Sequence, residues 1–170
     1  MPLPASSASF AILAAGLAVA VVVDLRSRRI PNVLTGGLAA AGLGLAALGA
    51  APVTPALAAA GLVVGLLVML PGHLLGATGG GDVKLMGAVG TLLGPGPVIW
   101  AFLFTSLAGG VLALAIAARR QRVSDTLAGT RRLVAAPARA PQEVRSRTAA
   151  SRFAYGPAIA IGSLAAAWIA

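Results

Sequence analysis

The chain contains no cysteine. That excludes a disulfide framework, a thiol nucleophile and a cysteine-based zinc site. Histidine is limited to His73, so no histidine cluster offers a catalytic zinc set either. Acidic residues are nearly absent, with only Asp24, Asp82, Asp125 and Glu143 in 170 residues. Charged residues together make up 10% of the chain, too few for the polar surface of an ordinary water-soluble domain. No Lys or Arg precedes Arg26, so the basic start of a cleavable signal peptide is missing. The first apolar segment is therefore expected to be retained as a spanning helix.

What the chain does have is apolar surface. Hydrophobic residues account for 58% of it and the mean hydropathy is +0.93. Whole-chain disorder is excluded, and an all-α polytopic membrane bundle is the expected fold class. Six apolar stretches fall at residues 7–23, 32 or 33 to 50, 55–75, 85–94, 97 or 98 to 118, and 153–169. A spanning helix needs roughly 20 residues, so the fourth, which stops before Pro95-Gly96-Pro97, is short. Pro55 suits a first helical turn, whereas Pro71 should bend or end the last turn of the third stretch.

Charge placement threads these stretches through the bilayer. Arg26, Arg28 and Arg29 lie together, Lys84 stands alone, and nine arginines fall between Arg119 and Arg152. All thirteen basic residues share one side only if the segment from Lys84 to Pro97 crosses, as a short helix completed by the Gly-Pro-Gly-Pro linker. The expectation is six transmembrane segments with a short fourth. The basic side is cytoplasmic and both termini lie outside. The Arg-rich region, about 119–152, reads as a cytoplasmic loop with a surface helix around 124–135, attracted to anionic lipid. Neither a fold motif nor aromatic interleaving accompanies its charge, so nucleic acid is not an expected partner.

Two carboxylates sit at the borders of apolar stretches. Asp24 follows Val21-Val22-Val23, and Asp82 lies between Gly79-Gly80-Gly81 and Val83-Lys84. An ionised carboxylate against hydrocarbon is costly, so each should face protein, water or a cation. The threading puts both on the cytoplasmic side. Two carboxylates sharing a water cannot comfortably both carry charge, so such a pair holds one proton. Its ionised member can take a proton from water attacking a peptide carbonyl, and its neutral member can protonate the leaving amine. No metal is required for that chemistry.

The neighbouring residues have two readings each. Gly79, Gly80 and Gly81 permit positive φ and close approach of a backbone, or form a flexible interhelical turn. Their spacing is not that of a phosphate-binding loop ending in Gly-Lys-Ser/Thr. Lys84 either lowers the pKa of a nearby carboxylate or snorkels to the interface. His73, close to a helix end, reads as a local hydrogen-bonding residue. Pro31 disfavours helix at Ile30, and Asn32 is placed to cap the second helix and to fix the orientation of Asp24. The three arginines after Asp24 anchor the chain to lipid or attract an acidic substrate residue.

Asp24 with Ile30-Pro31-Asn32, joined to Gly79-Gly80-Gly81-Asp82-Val83-Lys84, resembles the type IV prepilin peptidases, membrane aspartic proteases of the GxGD class. The chain is most similar to the short forms associated with Flp/Tad pilus assembly. The segment Phe153-Ala154-Tyr155-Gly156-Pro157-Ala158 resembles the start of that family's last helix. The resemblance implies a single membrane peptidase domain over 1–170, with Asp24 and Asp82 as the catalytic pair in a bacterial inner membrane. Gly79, Gly80, Gly81, Lys84, Ile30, Pro31 and Asn32 support them. It also implies cleavage of the basic leader of a prepilin or pseudopilin after a glycine, at the cytoplasmic face. Longer members carry an extra region with paired cysteines and an N-methyltransferase function. Here about 23 residues precede Asp24 and none is cysteine, so no N-methylation, S-adenosylmethionine or other cofactor is expected. The family often has a bulky residue before the first aspartate, where this chain has Val23.

Two rivals remain on the residues alone. Intramembrane carboxylates also serve proton or ion transport, but no internal inverted repeat is visible. A noncatalytic assembly subunit would use the Ala- and Gly-rich faces for helix packing. Neither the pilin nor an oligomeric state is specified by the sequence.

Overall fold

The computed structural model describes residues 7–119 and 155–169. Six helices carry them: α1 Ser7–Ser27, α2 Asn32–Ala47, α3 Pro55–Leu74, α4 Gly80–Leu93, α5 Pro95–Arg119 and α6 Gly156–Ile169. The chain is an all-α bundle. The surface helix expected around 124–135 and the Arg-rich loop lie outside the described residues.

Helix ends differ from the sequence reading in ways that matter for the site. α1 continues past Val23, so Asp24 lies inside its last turn rather than after it. The helix closes where Arg28 takes a left-handed φ of 52° and the Ser27 hydroxyl donates to the Val23 carbonyl at 2.8 Å. Asn32 does not cap α2. Pro31 holds the cap position, in extended geometry with φ −64° and no side-chain cap bond, and Asn32 is the first helical residue. Thr54 caps α3 by accepting from the Leu57 amide at 3.3 Å, with Pro55 in the first turn as expected. Pro71 lies inside α3 without ending it, and the helix continues to Leu74. The Gly-Pro-Gly-Pro linker is not a linker either. Gly94 alone turns the chain, with φ 84°, and Pro95 opens α5, where its missing N–H costs no hydrogen bond.

Each of α1, α3 and α5 buries one narrow stripe at helical spacing. α1 turns in Ser9, Leu13, Leu17, Ala20 and Asp24, and α3 turns in Ala58, Gly61, Gly65 and Met69. Asp24 thus continues an apolar stripe and is carried into the interior by the same 3.6-residue periodicity. The opposite faces of these helices stay apolar and exposed, including Val19, Val22, Leu67, Leu103 and Leu107. A water-soluble bundle would not show such a surface; a lipid-facing one does.

The fourth helix is different. It is enclosed on all sides, with every residue from 85 to 94 buried. α3 approaches it most closely. A Cβ added at Gly61 would collide with the Gly90 carbonyl, and one at Gly65 with the Met86 carbonyl. Small residues let backbones meet where lipid supplies no hydrophobic drive for helix association. α2 and α6 pack on the same principle, Gly42 against Thr91 of α4 and Gly162 against Thr105 of α5.

Three helices have membrane length and composition, within Ala8–Ser27, Pro55–Leu74 and Pro95–Ala115. α2 and α6 are apolar but shorter. α4, with 14 residues, is only about 21 Å long at 1.5 Å per residue.

Candidate active site

One end of the bundle gathers most of the polar side chains the sequence singles out. The last turn of α1 brings Asp24, the first turn of α4 brings Asp82, and the α1–α2 turn brings Ile30, Pro31 and Asn32. Both aspartates are buried, Asp24 at 5% exposure and Asp82 at 8%.

Each carboxylate is held by a helix N-terminus. Asp82 sits in the first turn of α4, and its Oδ2 accepts from the Gly79 amide at 2.9 Å. The Asp82 amide returns a bond to the Gly79 carbonyl at 3.1 Å. Gly79 has no side chain to cap the helix, so Asp82 reaches back to satisfy a free amide itself. Asp24 is held from another helix altogether. Its Oδ2 accepts from the amide of Gly156, which opens α6, at 2.8 Å.

The two aspartates are close enough for the charge of Asp24 to act on Asp82. Asp82 precedes the apolar stretch that starts at Leu85. Burial pushes its carboxyl from 3.8 up to about 6; the Gly79 hydrogen bond opposes the rise, the Asp24 charge adds to it, and His73 opposes it weakly. The result is a pair in which one carboxyl retains a proton well above the ordinary carboxylate range.

The glycine triplet works by proximity, not by unusual dihedrals. The left-handed turn between α3 and α4 is made by Gly76 at φ 81°, while none of Gly79, Gly80 and Gly81 has positive φ. Gly81 lies flat against Ile30, where a Cβ would stand 3.0 Å from the Ile30 Cβ and 3.2 Å from its carbonyl oxygen. At Gly80 the nearest atom to such a Cβ would be His73 Cε1, at 3.6 Å. Ile30 is buried and wedges the α1–α2 turn against the start of α4.

Lys84 does not simply extend toward the interface. Its ammonium donates to the Asn32 side-chain oxygen at 2.8 Å. His73 makes the local bond expected of it, with Nδ1 and the Thr78 carbonyl 3.0 Å apart. Two residues of the site were not singled out by their chemistry in the sequence: Gly156 and its neighbour Tyr155. Tyr155 packs its ring on Gly109 and is hydrogen-bonded to Ser106. The Tyr-Gly-Pro sequence at a helix start was the available signal, and only its family resemblance was legible. Among the described residues no group of three or more His, Cys, Asp or Glu side chains forms a metal donor set.

A sequence model of the type IV leader peptidase family matches residues 11–114, more than half of the chain and both aspartates. No curated protein and no solved structure matches it.

Proposed function

The chain belongs to the type IV leader peptidase family, a family of membrane-embedded prepilin leader peptidases, and on that premise we propose that Asp24 and Asp82 form its catalytic pair. The observation that carries this reading is the gathering of two buried, backbone-held carboxylates at one end of the bundle, near enough for the Asp24 charge to act on Asp82. In each, one oxygen accepts a backbone N–H and, among the described residues, the other accepts no hydrogen bond, leaving it for water or substrate.

The ionised carboxylate takes a proton from water as the water oxygen attacks the scissile carbonyl carbon. The neutral carboxyl donates to the carbonyl oxygen. Collapse of the tetrahedral intermediate breaks the C–N bond, and the amine departs with a proton from the pair. The substrate of this proposal is a Flp-type prepilin, cleaved after a glycine at the end of its basic leader. Glycine at that point lets the pair approach without side-chain obstruction, while apolar contacts hold the pilin helix. The leader's charge keeps it on the cytoplasmic side. This reading takes six crossings, with α4 as the short fourth, the site at the cytoplasmic face and both termini outside. The described helices act as one peptidase domain.

Reconstitution in vesicles with a Flp-type prepilin tests the pair. Asp24→Asn and Asp82→Asn should each abolish cleavage while inserting normally. Normal processing by either variant removes that residue from the assignment. Proton or cation flux through vesicles lacking pilin would favour a transporter.

A further inference from the structure

We propose that Gly156 is a positioning residue that fixes the carboxylate of Asp24 through its backbone amide, so that the first turn of α6 is part of the catalytic apparatus. The inference rests on Asp24 being catalytic and extends that reading to a helix far away in sequence. The Gly156 amide donates to Asp24 Oδ2 at 2.8 Å across 132 positions, and both residues are buried.

Two features make this more than a chance contact. The first is that α6 directs its N-terminal amides, the positive end of its dipole, at a carboxylate carried by the end of α1. Asp24 sits near the C-terminus of its own helix, where the local dipole disfavours negative charge, and α6 supplies the compensation. The second is steric. A Cβ at position 156 would stand 2.9 Å from Asp24 Oδ2, 3.1 Å from its Cβ and 3.3 Å from its Cγ. The three nearest atoms to that position all belong to Asp24, so any side chain there displaces the carboxylate before it meets anything else. Position 156 requires glycine for what lies opposite, since its backbone is helical with negative φ.

The test compares Gly156→Ala with Gly162→Ala in the reconstituted full-length protein. Gly162→Ala is a packing control in the same helix, since its added methyl would collide with Thr105 and not with either aspartate. Gly156→Ala should lower kcat about 100-fold with KM changed less than threefold, the scale of a misplaced catalytic group. Gly162→Ala should lose stability at least as much and keep kcat within about fivefold when assayed below its unfolding temperature. Equal kcat for the two variants overturns the proposal. A second measurement does not depend on the variant folding well. In protein labelled with 15N-glycine, the Gly156 amide proton should move upfield in Asp24→Asn and stay in place in Asp82→Asn. An unmoved resonance in Asp24→Asn also overturns it. If Asp24→Asn itself cleaves prepilin normally, the catalytic pair fails instead, whatever Gly156 does.

Discussion

The Lys84 ammonium donates to the Asn32 side-chain oxygen at 2.8 Å, tying the first turn of α4 to the first turn of α2. This bond and the Ile30 wedge on Gly81 both join the Ile-Pro-Asn turn to the residues around Asp82. Both Lys84 and Asn32 are exposed, so water competes for the bond and its contribution is modest. Asn32→Ala and Lys84→Met should each cost about 0.5 kcal/mol, and the double variant should cost no more than the larger single change. Thermal unfolding of the four proteins in one detergent checks this, with additive losses as the contrary result.

The contacts of the glycine triplet distinguish close packing from a flexible turn. Gly81→Ala presses a methyl onto Ile30 and should destabilise by about 1–3 kcal/mol and reduce cleavage. Gly80→Ala meets only an ordinary contact with His73 in the first turn of α4. It should be neutral, or stabilise by up to about 1 kcal/mol through helix propensity. A flexible turn would instead make the two substitutions alike. Melting temperatures and initial cleavage rates decide between them.

Asp82 carries a pH dependence whose sign is fixed by its raised value. Because its folded carboxyl holds a proton up to about 6 against 3.8 ordinarily, its favourable contribution is present below pH 3.8 and lost as pH rises through about 6. Asp82→Asn keeps a neutral group in place. It should therefore be inactive, yet more stable than the parent by about 1–3 kcal/mol at pH 7.5 and by much less at pH 4. Unfolding curves at the two pH values test the difference.

The same pair predicts a coupling that needs no activity assay. Removing the Asp24 charge removes one of the influences that raise the Asp82 carboxyl. In Asp24→Asn, the midpoint of Asp82 should fall below its parent value, read by carbon NMR of labelled aspartate. An unchanged midpoint would mean that the carboxylates do not sense each other.

The α3–α4 seam should be among the least tolerant places in the bundle. Gly61→Ala drives a methyl into the Gly90 backbone, which cannot rotate away as a side chain can. A loss of about 3 kcal/mol or more is expected, against roughly zero for Gly36→Ala, where an added Cβ meets nothing within 4 Å. Detergent melting curves of the two variants measure the gap.

Much of this architecture was legible in the residues. Apolar runs located the six helices of the described residues, and the shortness of the fourth followed from Pro95-Gly96-Pro97. The acidic residues at the margins of those runs drew attention to Asp24 and Asp82, which fold to one end of the bundle. Local signals were less dependable where a distant partner intervened. Asn32 has the side chain of a cap, but Pro31 takes that position and Lys84 takes the side chain. The triplet 79–81 reads either as a place of close approach with positive φ or as a flexible turn; Gly81 is closely approached by Ile30, but Gly76 makes the left-handed turn. Gly156 was illegible as a site residue because its contribution is a backbone amide and an absence of atoms, neither of which residue chemistry announces.

The enclosure of α4 bears on how such a protein can change over generations. α1, α3 and α5 each keep an exposed flank where one aliphatic residue can substitute for another, as at Val19, Leu67 or Leu107. The ten positions from 85 to 94 have no such flank. Divergence in this bundle should therefore accumulate on its periphery while the inner rod stays nearly fixed, constrained by neighbours on every side rather than by any reaction.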